Sequence, residues 1–129
     1  MRKVQSQFGT GPLQQKLMVD DLHFLADAEV TRGGTGTGPS PHEYLAAALA
    51  ACTSMTLKMY AERKTWKLDN AIVTVDIERE NDVETFIRDI RLVGDLDVEQ
   101  RTRLLDIATK CPIHKALSGE IQIKTHLLT

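Results

Sequence analysis

Between Pro41 and Lys64 the chain runs without a glycine or a further proline, and from Leu45 to Met55 almost every residue is apolar. Alanine is the best helix former, so the run reads as one long helix. A helix that is apolar round most of its circumference cannot rest on a surface with one face in water. It has to be central, wrapped by a sheet, by other helices or by a partner chain. Its start is written locally: Ser40 fits the N-cap, Pro41 the first helical position and Glu43 the third, the pattern of a capping box. Its end carries Arg63 and Lys64, the sign of charge that the C-terminal end of a helix dipole prefers. The longest uncharged stretch, Tyr44 to Leu57, is well short of the ~20 apolar residues that span a bilayer, so the segment reads as a buried core helix with no membrane role.

The 129 residues suffice for a single domain, 1–129, with a core of its own and no room for a separate cofactor domain. Sixteen basic and eighteen acidic residues leave a net charge of -2, which gives no field to attract nucleic acid or an anionic membrane. The opening MRKVQSQFGTG has a positive pair but no apolar segment after it, so no secretory signal is expected and the protein reads as cytoplasmic. A structural disulfide is not expected in that compartment, and the two cysteines therefore need a reason to be present.

The stretch Arg32 to Pro41, RGGTGTGPSP, holds half of the glycines and half of the prolines and divides the chain. Before it, Leu13, Leu17 and Val19 fall on one side in period two, and His23 to Leu25 follow the Asp20-Asp21 turn signal, which predicts an N-terminal β meander. After the central helix, Val73, Val75 and Ile77 alternate with polar residues, a turn falls near Asn81-Asp82, and Ile90 and Leu92 alternate with Asp89 and Arg91. This is a β hairpin with one solvated face per strand. Gly94 ends it, Asp97 and Gln100 form a second capping pair, and Leu104, Leu105, Ile107 and Ala108 mark a second, amphipathic helix. Cys111-Pro112 breaks that helix. A short helical turn to Ser118-Gly119 completes a helix pair, and Ile121, Ile123 and Leu127 predict a last strand. The fold class is α+β.

The Gly-rich stretch lies before a helix start, where anions bind, but it is neither GxGxxG nor GxxxxGK[ST], and it reads as a connection. His42-Glu43 fails as a zinc motif because Ala46 stands where the second histidine should be. His23, His114 and His126 have no ligand spacing, so neither a metal nor another cofactor is expected. Cys52 lies eleven residues into the helix, with Ala48, Leu49, Met55 and Thr56 as its helical neighbours. Such a thiol can be a small inert core residue, or a reactive one if a cationic group from elsewhere favours its thiolate. Cys111, before Pro112, fits a helix N-cap that places its sulfur at a positive helix end, with His114 and Lys115 one turn on. Two cysteines so placed match a peroxidatic and resolving pair if the fold brings their Cα atoms within about 7 Å.

The run GGTGTGPSPHEYLAAALAACTSMTLKMYAERK, followed across a hairpin and a helix by CPIHKAL, resembles the OsmC/Ohr family of hydroperoxide-reducing proteins, and within it the compact OsmC-like branch. The resemblance implies an intertwined homodimer, with sheets wrapped about paired central helices and active sites built from both subunits. It implies that Cys52, after Ala-Ala, attacks the distal oxygen of an organic hydroperoxide. Cys111 then closes a disulfide that an external dithiol reduces.

Two departures accompany the match. His42 occupies the position of the family's glutamate, with Glu43 one residue later, and the strand Leu13 to Val19 lacks the family's arginine. Glu43 is thus a candidate site residue that the capping box also explains. The cation beside Cys52 would have to come from Arg32, Arg63 or the second subunit. The resemblance implies a thiol-dependent peroxidase of oxidative stress defence using Cys52, Cys111 and Glu43. The alternative is a non-catalytic homodimer of the same fold that binds a small apolar ligand or senses redox state.

Overall fold

The computed structural model describes residues 1–128 and divides into two compact units, Met1–Leu45 and Ala46–Thr129. In the first, β1 (Gln5–Phe8), β2 (Gln15–Val19) and β3 (Leu22–Ala26) form an antiparallel sheet in that order, with Ser6 opposite Leu17 and Leu17 opposite Phe24. The turn between β2 and β3 uses Asp20 at φ 50, a conformation that Asp tolerates better than most residues. This is the predicted meander.

The Gly-rich connection is tied down. The Asp27 carboxylate accepts hydrogen bonds from the Thr35 hydroxyl at 3.0 Å, the Thr37 amide at 3.0 Å, the Thr37 hydroxyl at 2.6 Å and the Ala28 amide at 2.7 Å. These bonds, those from Thr37 foremost, hold its carboxyl well below the usual carboxylate range. Gln14 donates in turn to the Thr37 hydroxyl at 2.9 Å. At Gly34 a Cβ would stand 2.0 Å from the Ala28 carbonyl oxygen, so no other residue fits without moving backbone.

The long helix α1 (Pro41–Lys64) starts as its sequence dictates. The Ser40 amide donates to Glu43 Oε1 at 2.8 Å and the Glu43 amide donates to Ser40 Oγ at 3.2 Å, a closed capping box. Tyr44 donates its hydroxyl proton to the Leu25 carbonyl, and its ring lies 5.9 Å from that of Phe24.

In the second unit β4 (Asn70–Glu80) and β5 (Val83–Val93) pair antiparallel through a two-residue turn, with Asn81 at φ 53 and Asp82 at φ 62. Positive φ at both central residues is the turn whose twist matches a β hairpin. Helix α2 (Val98–Ala108) opens on the Asp97–Gln100 capping box, and α3 (Pro112–Ser118) opens on Cys111. The core is Leu57 of α1 with Leu96, Leu104, Ile107 and Ala108, packed against Trp66, Ile90 and Leu92.

The single chain meets the expectation of a wrapped central helix on one side only, and the expectation of a last strand changes. Within the chain α1 is buried along one stripe only, Leu49, Thr53, Leu57 and Ala61, because the hairpin and α2 reach one side of it; Met55 and Met59 are 64% and 57% exposed. The predicted last strand does not form: residues 120–128 take up no regular structure and Ile121, Ile123 and Leu127 are exposed. Alternation supplies a strand with two faces, but a strand also needs a neighbouring edge, and no ladder in the described residues pairs with this segment.

Candidate active site

The sulfur of Cys111 is fully buried at the N-cap of α3, where the backbone is extended and Pro112 sets the first helical φ. The His114 amide donates to Cys111 Sγ at 3.2 Å, so the thiol takes the place that a Ser or Asp oxygen usually fills. On its other side Cys111 Sγ lies 3.9 Å from Thr53 Oγ1. Thr53 is fully buried and follows Cys52, so the two cysteines are brought near each other, one on α1 and one at the head of α3. Cys52 itself is part-buried, and both thiols are free.

Behind this pair stands Arg88 of β5. Its Nη1 donates to Thr53 Oγ1 at 3.1 Å and to the Ala108 carbonyl at 3.2 Å, and its Nη2 donates to His114 Nδ1 at 3.0 Å. A guanidinium has no acceptor, so the direction of each bond is fixed and His114 carries its ring proton on Nε2. Thr53 donates its one proton to the Leu49 carbonyl at 2.7 Å. Its oxygen can then only accept from Arg88 and from Cys111, which makes Cys111 the donor in that contact when it is a thiol. Beside Arg88 and His114 lies a cavity of about 300 Å³ whose apolar walls are Leu49, Phe86 and Leu117.

Sequence reasoning missed Arg88 and Thr53. Within the second unit the cation bonded to the residues that flank the thiols is Arg88, while Arg63 stands in the last turn of α1. The signal was present: Glu84, Phe86, Arg88, Ile90 and Leu92 fall in one phase of β5 and all are half-buried, so Arg88 sits on the inward face of its strand. Glu43 is placed at the start of α1 in its capping box. There the Ser40 amide first, and then its hydroxyl, hold the carboxyl below the usual range. Among the described residues no group of three His, Cys, Asp or Glu side chains is placed to hold a metal ion, and no helix is long and apolar enough to cross a membrane.

A thiol at a helix head, a second on a long helix beside it and an arginine joining their supports define a two-thiol protein of α+β fold. The family described as OsmC-like protein matches residues 34–126, more than half of the chain, and the chain belongs to that family. Solved structures share the fold. An OsmC-like protein from Mycoplasma pneumoniae is 18% identical with a TM-score of 0.81, over 92% of this chain and 88% of that one. The organic hydroperoxide resistance protein OhrB of Bacillus subtilis is 26% identical with a TM-score of 0.61, over 96% and 95%. An organic hydroperoxide resistance protein from Elizabethkingia anophelis is 21% identical with a TM-score of 0.70, over 95% and 91%. No curated protein matches the sequence.

Proposed function

We propose that this chain is a cysteine-based, thiol-dependent peroxidase that reduces organic hydroperoxides in the cytoplasm. The observation that carries the reading is the placement of Cys111 Sγ against Thr53, the residue after Cys52. In the first step the Cys52 thiolate attacks the distal oxygen of ROOH; the O–O bond breaks, the sulfur is oxidised to the sulfenic acid, and the alkoxide leaves as ROH with a proton. In the second, Cys111 sulfur attacks the sulfenic sulfur, an S–S bond forms and water leaves. An external dithiol then reduces the disulfide and is itself oxidised to a disulfide. Glu43 is assigned to the cap of α1, and the two cysteines carry the chemistry.

Kinship with proteins named for organic hydroperoxide resistance supports the substrate class. The working form is a homodimer, supported by Met55 and Met59, which α1 leaves exposed on a helix otherwise built for a core. The test is to mix reduced protein with cumene hydroperoxide and follow peroxide loss and free thiol together. Wild type should consume both, Cys52→Ser should consume neither, and Cys111→Ser should stop at a sulfenic acid. Unchanged thiols in the wild type would refute the reading and favour the second one, binding of a small apolar ligand, for which the cavity walled by Leu49, Phe86 and Leu117 is the specific observation.

A further inference from the structure

The peroxidase reading assigns the two sulfurs and leaves Arg88 without a part. Yet one guanidinium from β5 is bonded to three other helical segments: Thr53 of α1, the last carbonyl of α2 at Ala108, and His114 in the first turn of α3. These partners lie 35, 20 and 26 residues away along the chain, so no local structure holds them together. Two of them flank the thiols. Thr53 follows Cys52, and His114 is the residue whose amide holds Cys111 Sγ.

α3 has seven residues and none of them is buried, so beyond its buried cap Cys111 the helix holds its first turn only weakly by its own packing. Arg88 adds a constraint there, because three charge-assisted bonds of fixed direction tie His114 in the first turn of α3 to α1 and α2.

We propose that Arg88 is the positioning residue of the resolving step: through Thr53 and His114 it holds Cys111 in reach of the turn that carries Cys52. This rests on the two-cysteine reading above, but it concerns closure of the disulfide and not attack on peroxide. Arg88 touches no reacting atom. It also fixes the polarity of Thr53 Oγ1, which accepts from Arg88 and is left to accept from the Cys111 thiol, so the S–H is aimed at α1.

The test is a single turnover of reduced, full-length protein with stoichiometric cumene hydroperoxide. Sulfenic acid at Cys52 is trapped with a 1,3-diketone, and the intramolecular disulfide is read by mass. In Arg88→Met, sulfenic acid should form at the wild-type rate while the disulfide closes roughly tenfold to hundredfold more slowly, the effect of displacing a reacting group by about an ångström. His114→Ala, which unties α3 alone, should give the same split even if Arg88→Met does not fold. His114→Asn, whose carbonyl oxygen can stand near the Nδ1 position and accept from Arg88, should restore closure. Equal slowing of both steps, closure at the wild-type rate in His114→Ala, or failure of His114→Asn to restore it overturns the proposal. Closure is also driven with diamide, which takes the two thiol hydrogens to become a hydrazine and needs no peroxide. Wild type that ignores hydroperoxide but closes with diamide in a His114-dependent way would end the peroxidase reading and leave the positioning role standing.

Discussion

Asp27 accepts four hydrogen bonds with one carboxylate, and its second oxygen alone takes three of them. Asn cannot replace it. Whichever way the amide flips, its NH2 meets the Ala28 amide or the threonine donors, and a donor facing a donor loses the bond. The folded-state pKa lies below the unfolded value of 3.8, so the stabilisation is fully present above that value and is lost as pH falls below it. Asp27→Asn should therefore lower the melting temperature at neutral pH and flatten its acid-side decline, as thermal scans from pH 7 down to about 3 would read. An equal acid-side slope in both proteins would show that another carboxylate governs it.

Arg88 shows what a sequence hides at this scale. Its phase on β5 was visible, but its three partners are non-local and acquire meaning only when four elements meet. Cys52 and Cys111 were legible because a thiol is a rare chemical type, and Glu43 because its partner is three residues away.

Among the elements, those written in local code formed as read. Both capping boxes, Ser40–Glu43 and Asp97–Gln100, close with the expected pairs, and the Asn81–Asp82 turn sets the hairpin register. Ser40→Ala removes the acceptor for the Glu43 amide and should cost about 1 kcal/mol in urea unfolding, with the midpoint lowered and the m-value unchanged. A loss below a few tenths of a kcal/mol would mean that the first turn of α1 is held by other contacts. Residues 120–128 mark the boundary of such code. Their alternation fits a strand, and whether one forms depends on an edge that the segment's own residues cannot supply.

At the scale of the molecule the question is what covers α1. The dense apolar run predicted a helix wrapped on all sides, and one chain buries only the stripe from Leu49 to Ala61. A second copy is the simplest cover, and light scattering should give twice the chain mass at micromolar concentration. Met59→Lys places a charge on the exposed side of the helix and should shift that equilibrium to monomer while far-ultraviolet circular dichroism stays native. A monomeric wild type would instead require that α1 be stable with its methionines in water.

The cap of α3 joins chemistry to stability across the second unit. Because Cys111 Sγ is the acceptor for the His114 amide, any reaction that draws the sulfur away also uncaps a helix. Reduction potential and helix fraying are then linked functions of one variable. The bond from the His114 amide favours the reduced sulfur by no more than its own free energy, and the exchange rate of that single amide should report the redox state of the protein.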